Sequence, residues 1–335
     1  MKIRLLLASL LLSVPFAAAT DPLFEEEGTL PVTISADFAQ IRSDRDKTET
    51  YEGQMTFGET TVPVTLTARG NNRLKRTTCN NPPLRLYINK DDVKDTVFED
   101  QGELKLVVQC KNTGRFAEYL RLEYLAYHLF ATISPESFRV RWLDLTIVDG
   151  DKTMVQPAFF IERKKRMGKR LSVSQVHENK VKRADLNARA AANLDLFQYM
   201  ISNLDYSAIQ GPPGEDCCHN AKLMAPDDGE GGAIPIPYDF DNSGFVDAPY
   251  AVPPDALNLN SVTVRRYRGF CAFNDELDAA RANFIAQKET VMAVVNDDAL
   301  LAKSPKRKAT RFLDKFYDTL ENDKKYERNI KGRCR

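Results

Sequence analysis

A short acidic segment offers the clearest chemistry in the sequence. Residues 235–247 read PIPYDFDNSGFVD and place four carboxylate or amide side chains around a Ser-Gly pair, namely Asp239, Asp241, Asn242 and Asp247. Oxygen atoms of these groups are the ligands that Ca²⁺ and Mg²⁺ prefer in proteins. Three interpretations are open: a calcium loop, a loop that holds Mg²⁺ against a phosphorylated ligand, or a polar turn without a ligand.

The calcium interpretation can be tested against the EF-hand pattern. Residues 239–244 follow the first half of that pattern, D-x-[DN]-x-[DN]-G, with Ser243 at the fifth position. The twelfth position must supply a bidentate Glu, and here it is Tyr250. The sequence therefore argues against an EF-hand and leaves only some other calcium loop open.

Two residues upstream favour the magnesium interpretation. Asp205 follows the last turn of a predicted helix, in SNLDYS, and Asn220 opens a predicted strand, NAKLM. A turn and a second predicted strand then end at Asp239. Enzymes that transfer phosphoryl groups in the manner of protein kinases use a carboxylate for the attacking hydroxyl, and an amide and a second carboxylate for Mg²⁺. The order helix, Asp, loop, Asn, strand, turn, strand, Asp fits that chemistry.

The first half of the chain supplies a candidate ion pair. Lys105 lies in the predicted strand ELKLVVQC, and Glu123 lies on the apolar stripe of the helix predicted over 115–131. A buried carboxylate needs a partner because an unpaired buried charge is costly. A Lys105–Glu123 pair would hold the α- and β-phosphates of a nucleotide. The alternatives are a solvent-facing lysine and a surface ion pair of Glu123 with Arg121 or another neighbour.

The elements that must position these residues change in character along the chain. Residues 29–110 are rich in short alternating or β-branched runs, which predict strands. Helical patterns dominate from about residue 184, and 274–330 is helical and highly charged. We therefore expect a β-rich part with one main helix, followed by a helix-rich part.

The N-terminus has the pattern of a secretory signal. Lys2 and Arg4 precede an apolar run that is too short to span a bilayer, and residues 17–19 are alanines typical of a cleavage site. Residues 1–19 are therefore predicted to be a signal peptide, and the protein is expected in the periplasm or secreted. Removing the two bases of this segment leaves 45 bases against 47 acids, which argues against nucleic-acid binding. We expect no membrane span.

Six cysteines suit an exported protein with disulfide bonds. Their grouping predicts a Cys79–Cys110 bond. Adjacent cysteines would be strained if they were bonded to each other, so we expect Cys217 and Cys218 each to pair with Cys271 or Cys334. A zinc site is the alternative, although the sequence has no CxxC and only three histidines.

Several segments together resemble one known family, the spore-coat protein H (CotH) kinases, an atypical branch of the protein-kinase fold, and more distantly the HipA-type kinases. The segments are ARGNNR (68–73), LKLV (104–107), EYLAY (123–127), FRVR (138–141), SNLDYS (202–207), HNAKL (219–223) and PYDFDNSG (237–244). The resemblance implies an α+β, two-lobed, kinase-like fold, which the disulfides expected from the cysteine count would staple. Residues 20–165 would form the β-rich N-lobe and 166–335 the helical C-lobe.

The resemblance also implies roles for the acidic residues and the amide. Asp205 would be the catalytic acid-base, while Asn220 and Asp239 would bind Mg²⁺ or Mn²⁺. Asp241 would be a second neighbour of the metal or of a phosphate.

On the nucleotide side, the resemblance makes Lys105 the nucleotide-binding lysine and Glu123 its partner. Glu162 would lie near the connection between the lobes. Arg69 and Arg73 occupy the family's RGN motif, which would face the phosphates.

The implied activity is transfer of a phosphoryl or related group from ATP or another nucleotide to a hydroxyl of a protein or small molecule. The chain departs from ordinary protein kinases in lacking a G-x-G-x-x-G loop. It also separates Asp205 and Asn220 by 15 residues rather than about five, and has Phe-Asp after Asp239 where kinases have Phe-Gly. The alternative is a noncatalytic envelope or surface protein that keeps the fold as a binding scaffold.

Overall fold

Seven strands of the N-terminal half close into a barrel in the computed structural model, which describes residues 21–26 and 28–335. The predicted signal peptide, residues 1–19, lies outside the described residues. The barrel strands are β1 (Leu30–Ala36), β2 (Tyr51–Phe57), β3 (Thr60–Ala68), β4 (Leu84–Ile88), β5 (Glu103–Val108), β6 (Val140–Asp149) and β7 (Lys152–Ile161).

The barrel closes through one parallel pair. The strands follow one another in the order β1-β2-β3-β4-β5-β7-β6, and β1 then pairs with β6 in parallel, from Leu30 opposite Leu143 to Ser35 opposite Val148. The other neighbouring strands are antiparallel. This closure contradicts the predicted two-lobed, kinase-like fold, which is wrong. The chain combines helices and strands as expected, but its β-rich half is a closed barrel.

The barrel has an apolar interior because side chains alternate between the two faces of each strand. Ile34, Leu66 and Leu86 are completely buried inside it. The same alternation makes β7 face two cores, since Phe160 points into the barrel and Phe159 packs against the helices.

Helices surround and follow the barrel. They are α1 (Pro22–Glu25), α2 (Phe38–Asp44), α3 (Gly114–Ala131), α4 (Lys164–Leu171), α5 (Ala188–Ile201), α6 (Asn274–Ala286), α7 (Lys288–Asn296), α8 (Lys303–Leu320) and α9 (Asp323–Asn329). Short 3₁₀ helices cover Lys90–Val93, Arg183–Asp185, Asp255–Leu257, Cys271–Phe273 and Lys331–Arg333. The predicted boundary between residues 165 and 166 falls inside α4 and stays a prediction.

A small second sheet lies between α4 and α6 in the sequence. It contains β8 (Val173–Gln175), β9 (Ala221–Pro226) and β10 (Ile234–Pro237), paired antiparallel in the order β10-β9-β8. The strands β9 and β10 form the hairpin that the sequence predicts. Across residues 21–26 and 28–335, no helix is both long enough and apolar enough to cross a bilayer.

All six cysteines are disulfide-bonded, which leaves no free thiol for the zinc alternative. The Cys79–Cys110 bond is as predicted, but Cys217 is bonded to Cys218. The predicted pairing of these two residues with Cys271 and Cys334 is therefore wrong. The last two cysteines are bonded to each other because the C-terminus folds back, with the Arg335 amide donating to the Gly269 carbonyl.

Candidate functional site

The β9–β10 hairpin brings Asn220 and Asp239 together. Ala221 lies opposite Pro237, and the Tyr238 amide donates to the Asn220 carbonyl at 3.2 Å. Both candidate residues have left-handed backbones, with φ of 49° at Asn220 and 65° at Asp239. Asn and Asp tolerate this conformation better than other residues that have side chains. The residue types therefore suit the tight backbone bends just before β9 and just after β10, at the open end of the hairpin.

Asp205 joins the same hairpin from the end of α5. Its carboxylate oxygens are 2.7 Å from His219 Nε2 and 3.2 Å from Asn220 Nδ2. Asn242 Nδ2 also approaches it, at 3.5 Å. Because the amide nitrogen of Asn220 faces Asp205, its side-chain oxygen remains available to a cation.

The hydrogen bonds around Asp205 decide its charge. Burial alone would raise the pKa of Asp205, but the hydrogen bonds from His219 and Asn220 outweigh burial and lower it below its usual value. The same contact with Asp205 raises the pKa of His219. Asp205 is therefore an ionised carboxylate with a fixed orientation.

Glu123 has a partner other than the predicted one. Its carboxylate is 3.2 Å from the guanidinium of Arg73, and both side chains are buried. Arg73 also donates to the Val108 carbonyl and lies 3.9 Å from Asp241. The predicted Lys105–Glu123 pair does not form, because Arg73 reaches Glu123 from the loop that follows β3.

Burial governs the protonation of both carboxyl groups near Arg73. It raises the pKa of Glu123 above its usual value, although Arg73 acts in the opposite direction. It also raises the pKa of Asp241, and the neighbouring charge of Asp239 adds to that effect.

Three cations form a basic cluster, which we define as Arg69, Lys105 and Lys222. The ammonium nitrogens of Lys105 and Lys222 each lie 4.8 Å from the centre of the Tyr238 ring. Among the residues that the structure describes, none of the three cations forms an ion pair within 4.0 Å. The cluster therefore carries positive charge that no protein carboxylate neutralises by direct contact.

An acidic cluster, defined as Asp205, Asp239 and Asp241, shares a cleft with the basic cluster. This cleft has a volume of about 1110 Å³, and Asn220, Arg73 and Glu123 also line it. The carboxylate of Asp239 is half-buried, and the described part of the chain offers it no hydrogen-bond donor and no ion pair. The structure thus brings all but one of the predicted catalytic, cofactor-binding and metal-binding residues together.

Glu162 is the exception. It lies between β7 and α4 and is almost completely buried. It accepts hydrogen bonds from Arg170 at 2.8 and 3.0 Å and from the Arg139 amide at 3.0 Å. It does not line the cleft. We conclude that it joins α4 to the barrel end, and we propose no cofactor contact for it.

Two residues of the cleft were missed by sequence reasoning. Lys222 lies on β9 two positions after Asn220, so its position in the predicted strand could have marked it as a neighbour of the site. Tyr250 lines the cleft together with Asp241, and nothing in its local sequence marks it.

Metal binding would depend on oxygen donors from more than one source. Within residues 21–26 and 28–335, no group of three His, Cys, Asp or Glu side chains is arranged to hold a metal by itself. The free carboxylate of Asp239 and the amide oxygen of Asn220 nevertheless suit Mg²⁺, which commonly takes one or two carboxylates and completes its shell with water and phosphate oxygens.

No known protein-family model matches this chain, and no curated protein is similar to it in sequence. The resemblance to the CotH kinases therefore rests on short motifs, and the function has to be inferred from the cleft.

Proposed function

We propose that the cleft binds a divalent cation together with a nucleotide polyphosphate such as ATP, and that it transfers a phosphoryl or related group to a hydroxyl of a protein or small molecule. The observation that supports this most strongly is the coexistence of unpaired charges of both signs in one cleft. The carboxylate of Asp239 has no hydrogen-bond donor and no ion pair in the described chain, and none of the three cations of the basic cluster has a carboxylate partner there. Since buried charges are normally paired, a ligand that carries both a cation and phosphates would satisfy both sets.

Different residues of the cleft would bind the cation and the phosphates. Asp239, Asn220 and Asp241 would hold Mg²⁺ or Mn²⁺, which neutralises charge on phosphate oxygens when it is bound. Arg69, whose Nε donates to the Leu84 carbonyl, keeps the rest of its guanidinium for a phosphate. Guanidinium groups bind phosphate oxygens through paired hydrogen bonds.

Asp205 would orient the acceptor hydroxyl. Its carboxylate is kept ionised by the hydrogen bonds that lower its pKa, so it can accept a hydrogen bond from the hydroxyl that attacks phosphorus. His219 and Asn220 restrict its rotation through contacts at 2.7 and 3.2 Å. A general base needs this kind of fixed position before its pKa matters.

Ligand binding is the first test. Saturating ATP with Mg²⁺ or Mn²⁺ should raise the melting temperature, because a ligand at about 100 times its Kd stabilises a protein by about 2.7 kcal/mol. Asp239→Asn should lose this shift, while Asp91→Asn, an exposed acid outside the cleft, should keep it. If neither nucleotide nor metal changes the melting temperature, the noncatalytic scaffold becomes the better interpretation.

Transfer is the second test. With labelled γ-phosphate, the wild-type protein should label an acceptor, and Asp205→Asn should reduce labelling by about 10²–10⁴-fold while nucleotide binding persists. Undiminished labelling by Asp205→Asn would remove Asp205 from the reaction. Label from the α-phosphate in place of the γ-phosphate would identify transfer of AMP.

We also propose that the protein acts after export. The three disulfide bonds support this, because such bonds persist in oxidising compartments. Cell fractionation of the full chain and of a chain without residues 1–19 tests it. The proposal requires that only the full chain leave the cytoplasm.

A further inference from the structure

Lys105 stands out in the basic cluster because cations surround it on several elements. It lies on β5, is half-buried, and lines the cleft. Arg85 is its cross-strand neighbour on β4, Arg69 follows β3, and Lys222 lies on β9. Asp239 is the acid that acts on it most strongly, but the two residues form no ion pair.

This environment changes the state of the amine. Burial, together with the nearby Arg69 and Lys222, lowers the pKa of Lys105 to about 7. An exposed lysine has a pKa of about 10.4, so very little of it is neutral at neutral pH. A lysine that is desolvated and placed beside other cations is an activated nucleophile.

The surroundings also select an electrophile. Arg69 and Lys222 lack carboxylate partners in the described chain and face the same cleft, so they attract an anionic group. The Tyr238 ring, 4.8 Å from both ammonium nitrogens, offers an apolar surface for a flat molecule. An anionic compound with a small reactive group can therefore reach the half-buried amine.

We propose that Lys105 is a covalent modification site for small anionic aldehydes, whose anionic group binds Arg69 and Lys222. The lone pair of the neutral Nζ forms a bond to the carbonyl carbon and gives a carbinolamine. The carbonyl oxygen then leaves as water with the two hydrogens of the amine, and a carbon–nitrogen double bond remains. No oxidant or reductant takes part, and water reverses the reaction.

This modification does not depend on phosphoryl transfer. It uses the same cations that would hold the phosphates, so an aldehyde bound at Lys105 would compete with a nucleotide for the cleft. The two proposals can therefore fail separately: modification can occur without nucleotide binding, and nucleotide binding can occur without modification.

Pyridoxal 5′-phosphate is a suitable probe, because it combines an aldehyde, a flat ring and a phosphate. The full-length protein is incubated with less than one equivalent of probe, reduced with borohydride and mapped by peptide mass spectrometry. We expect Lys105 to carry the main adduct and to react at least about tenfold faster than exposed lysines, with a rate that rises with pH as the amine loses its proton. Inorganic phosphate should slow the reaction.

Variants separate the roles of the amine and of the anion site. Lys105→Arg should remove the fast adduct, and Lys222→Gln should slow its formation. Lys90→Arg is the control, because the side chain of Lys90 is 57% exposed outside the cleft, and it should label like the wild type. Pyridoxal without the phosphate should react more slowly.

Two results would overturn the proposal. One is an adduct distributed over exposed lysines with no preference for Lys105, and the other is an equal rate for pyridoxal with and without its phosphate. Both results come from the wild-type protein, so the proposal can be tested even if Lys105→Arg does not fold.

Discussion

The fold depends on the buried ion pair between Arg73 and Glu123 for part of its stability. Both side chains are buried, at 9% and 3% exposure, and their charged atoms are 3.2 Å apart. Burial costs both charges their hydration, and their mutual attraction and added hydrogen bonds offset that cost. Removal of one partner is strongly destabilising, because the other charge then stays buried without compensation. The donation from Arg73 to the Val108 carbonyl adds to this dependence.

Arg73→Met should therefore destabilise the protein by about 3–5 kcal/mol, because Glu123 is left buried without a cation. Urea unfolding measures this change. The double variant Arg73→Met/Glu123→Met should recover much of the loss, and Arg115→Met, at an exposed position, should change little. If the double variant is as unstable as the sum of the two single variants, the two residues are not energetically coupled.

The lowered pKa of Lys105 gives anion binding a pH dependence. Burial and the adjacent cations lower this pKa to about 7, so the amine is charged below that pH and neutral above it. Only the charged form attracts an anion. Binding of an anion must then be accompanied by uptake of a proton near neutral pH.

Sulfate is a useful probe of this effect, because it does not titrate near neutral pH. The affinity for sulfate should fall as the pH rises from about 6 to about 9, since Lys105 loses its charge in that range. In Lys105→Arg the fall should be much smaller, because a guanidinium remains charged and only His219, whose pKa is raised by Asp205, still loses positive charge in the cleft. Titrations followed by NMR shifts measure both, and a flat profile in the wild type would contradict the assigned protonation.

At the scale of elements, local sequence patterns were enough to predict the β9–β10 hairpin but not to predict which loops pack around it. The strand β10 and the polar residues just before β9 and just after β10 predicted that Asn220 and Asp239 would meet. The helix α3 was expected over 115–131 and is found over Gly114–Ala131. Arg73 was not assigned to Glu123, because it lies in a loop whose path depends on distant contacts. Local periodicity carries no information about such a path.

That loop is held by contacts from two other segments. The guanidinium of Arg45 donates to the carbonyls of Leu74, Cys79 and Asn80. The Cys79–Cys110 disulfide ties the loop to the end of β5. Since Arg69 and Arg73 lie at the start of the same loop, its position affects both stability and the cleft.

Cys79→Ala/Cys110→Ala should lower the free energy of unfolding by about 2–4 kcal/mol and should also weaken anion binding. The Cys271–Cys334 disulfide is a matched control, because it closes a longer chain segment, 63 residues against 31, away from the cleft. Cys271→Ala/Cys334→Ala should cost at least as much stability and leave anion affinity unchanged. Equal losses of affinity in both variants would show that general destabilisation is responsible.

At the scale of the whole molecule, the closure of the barrel could not be predicted from the sequence. Leu30 pairs with Leu143 across nearly the whole length of the barrel sequence, and alternating strands of this kind fit an open sheet as well as a closed barrel. The disulfide bonds also show what local patterns can and cannot predict. The Cys79–Cys110 bond was predicted from the grouping of the cysteines along the chain. The Cys271–Cys334 bond was not predicted, because it forms only when the C-terminus folds back. Long-range closure depends on register and on chain path, which short motifs do not encode.

The barrel and the helices have separate apolar cores with a shared wall. Leu86 and Phe160 belong to the barrel core, while Phe159 and Trp142 belong to the helical core. Because adjacent residues of β7 serve both cores, loss of this strand would expose both at once. The predicted division at residues 165 and 166 would also cut through α4.

We therefore expect both cores to unfold in one transition. Trp142 is the protein's only tryptophan, so its fluorescence follows the helical core, while far-ultraviolet circular dichroism follows the whole chain. The two urea curves should coincide. Leu86→Ala, on the barrel side, should lower the stability measured by Trp142 by about 2–5 kcal/mol, although Leu86 belongs to the other core. A Trp142 transition unaffected by Leu86→Ala would instead mean that the two parts fold independently, on either side of the predicted boundary between the lobes.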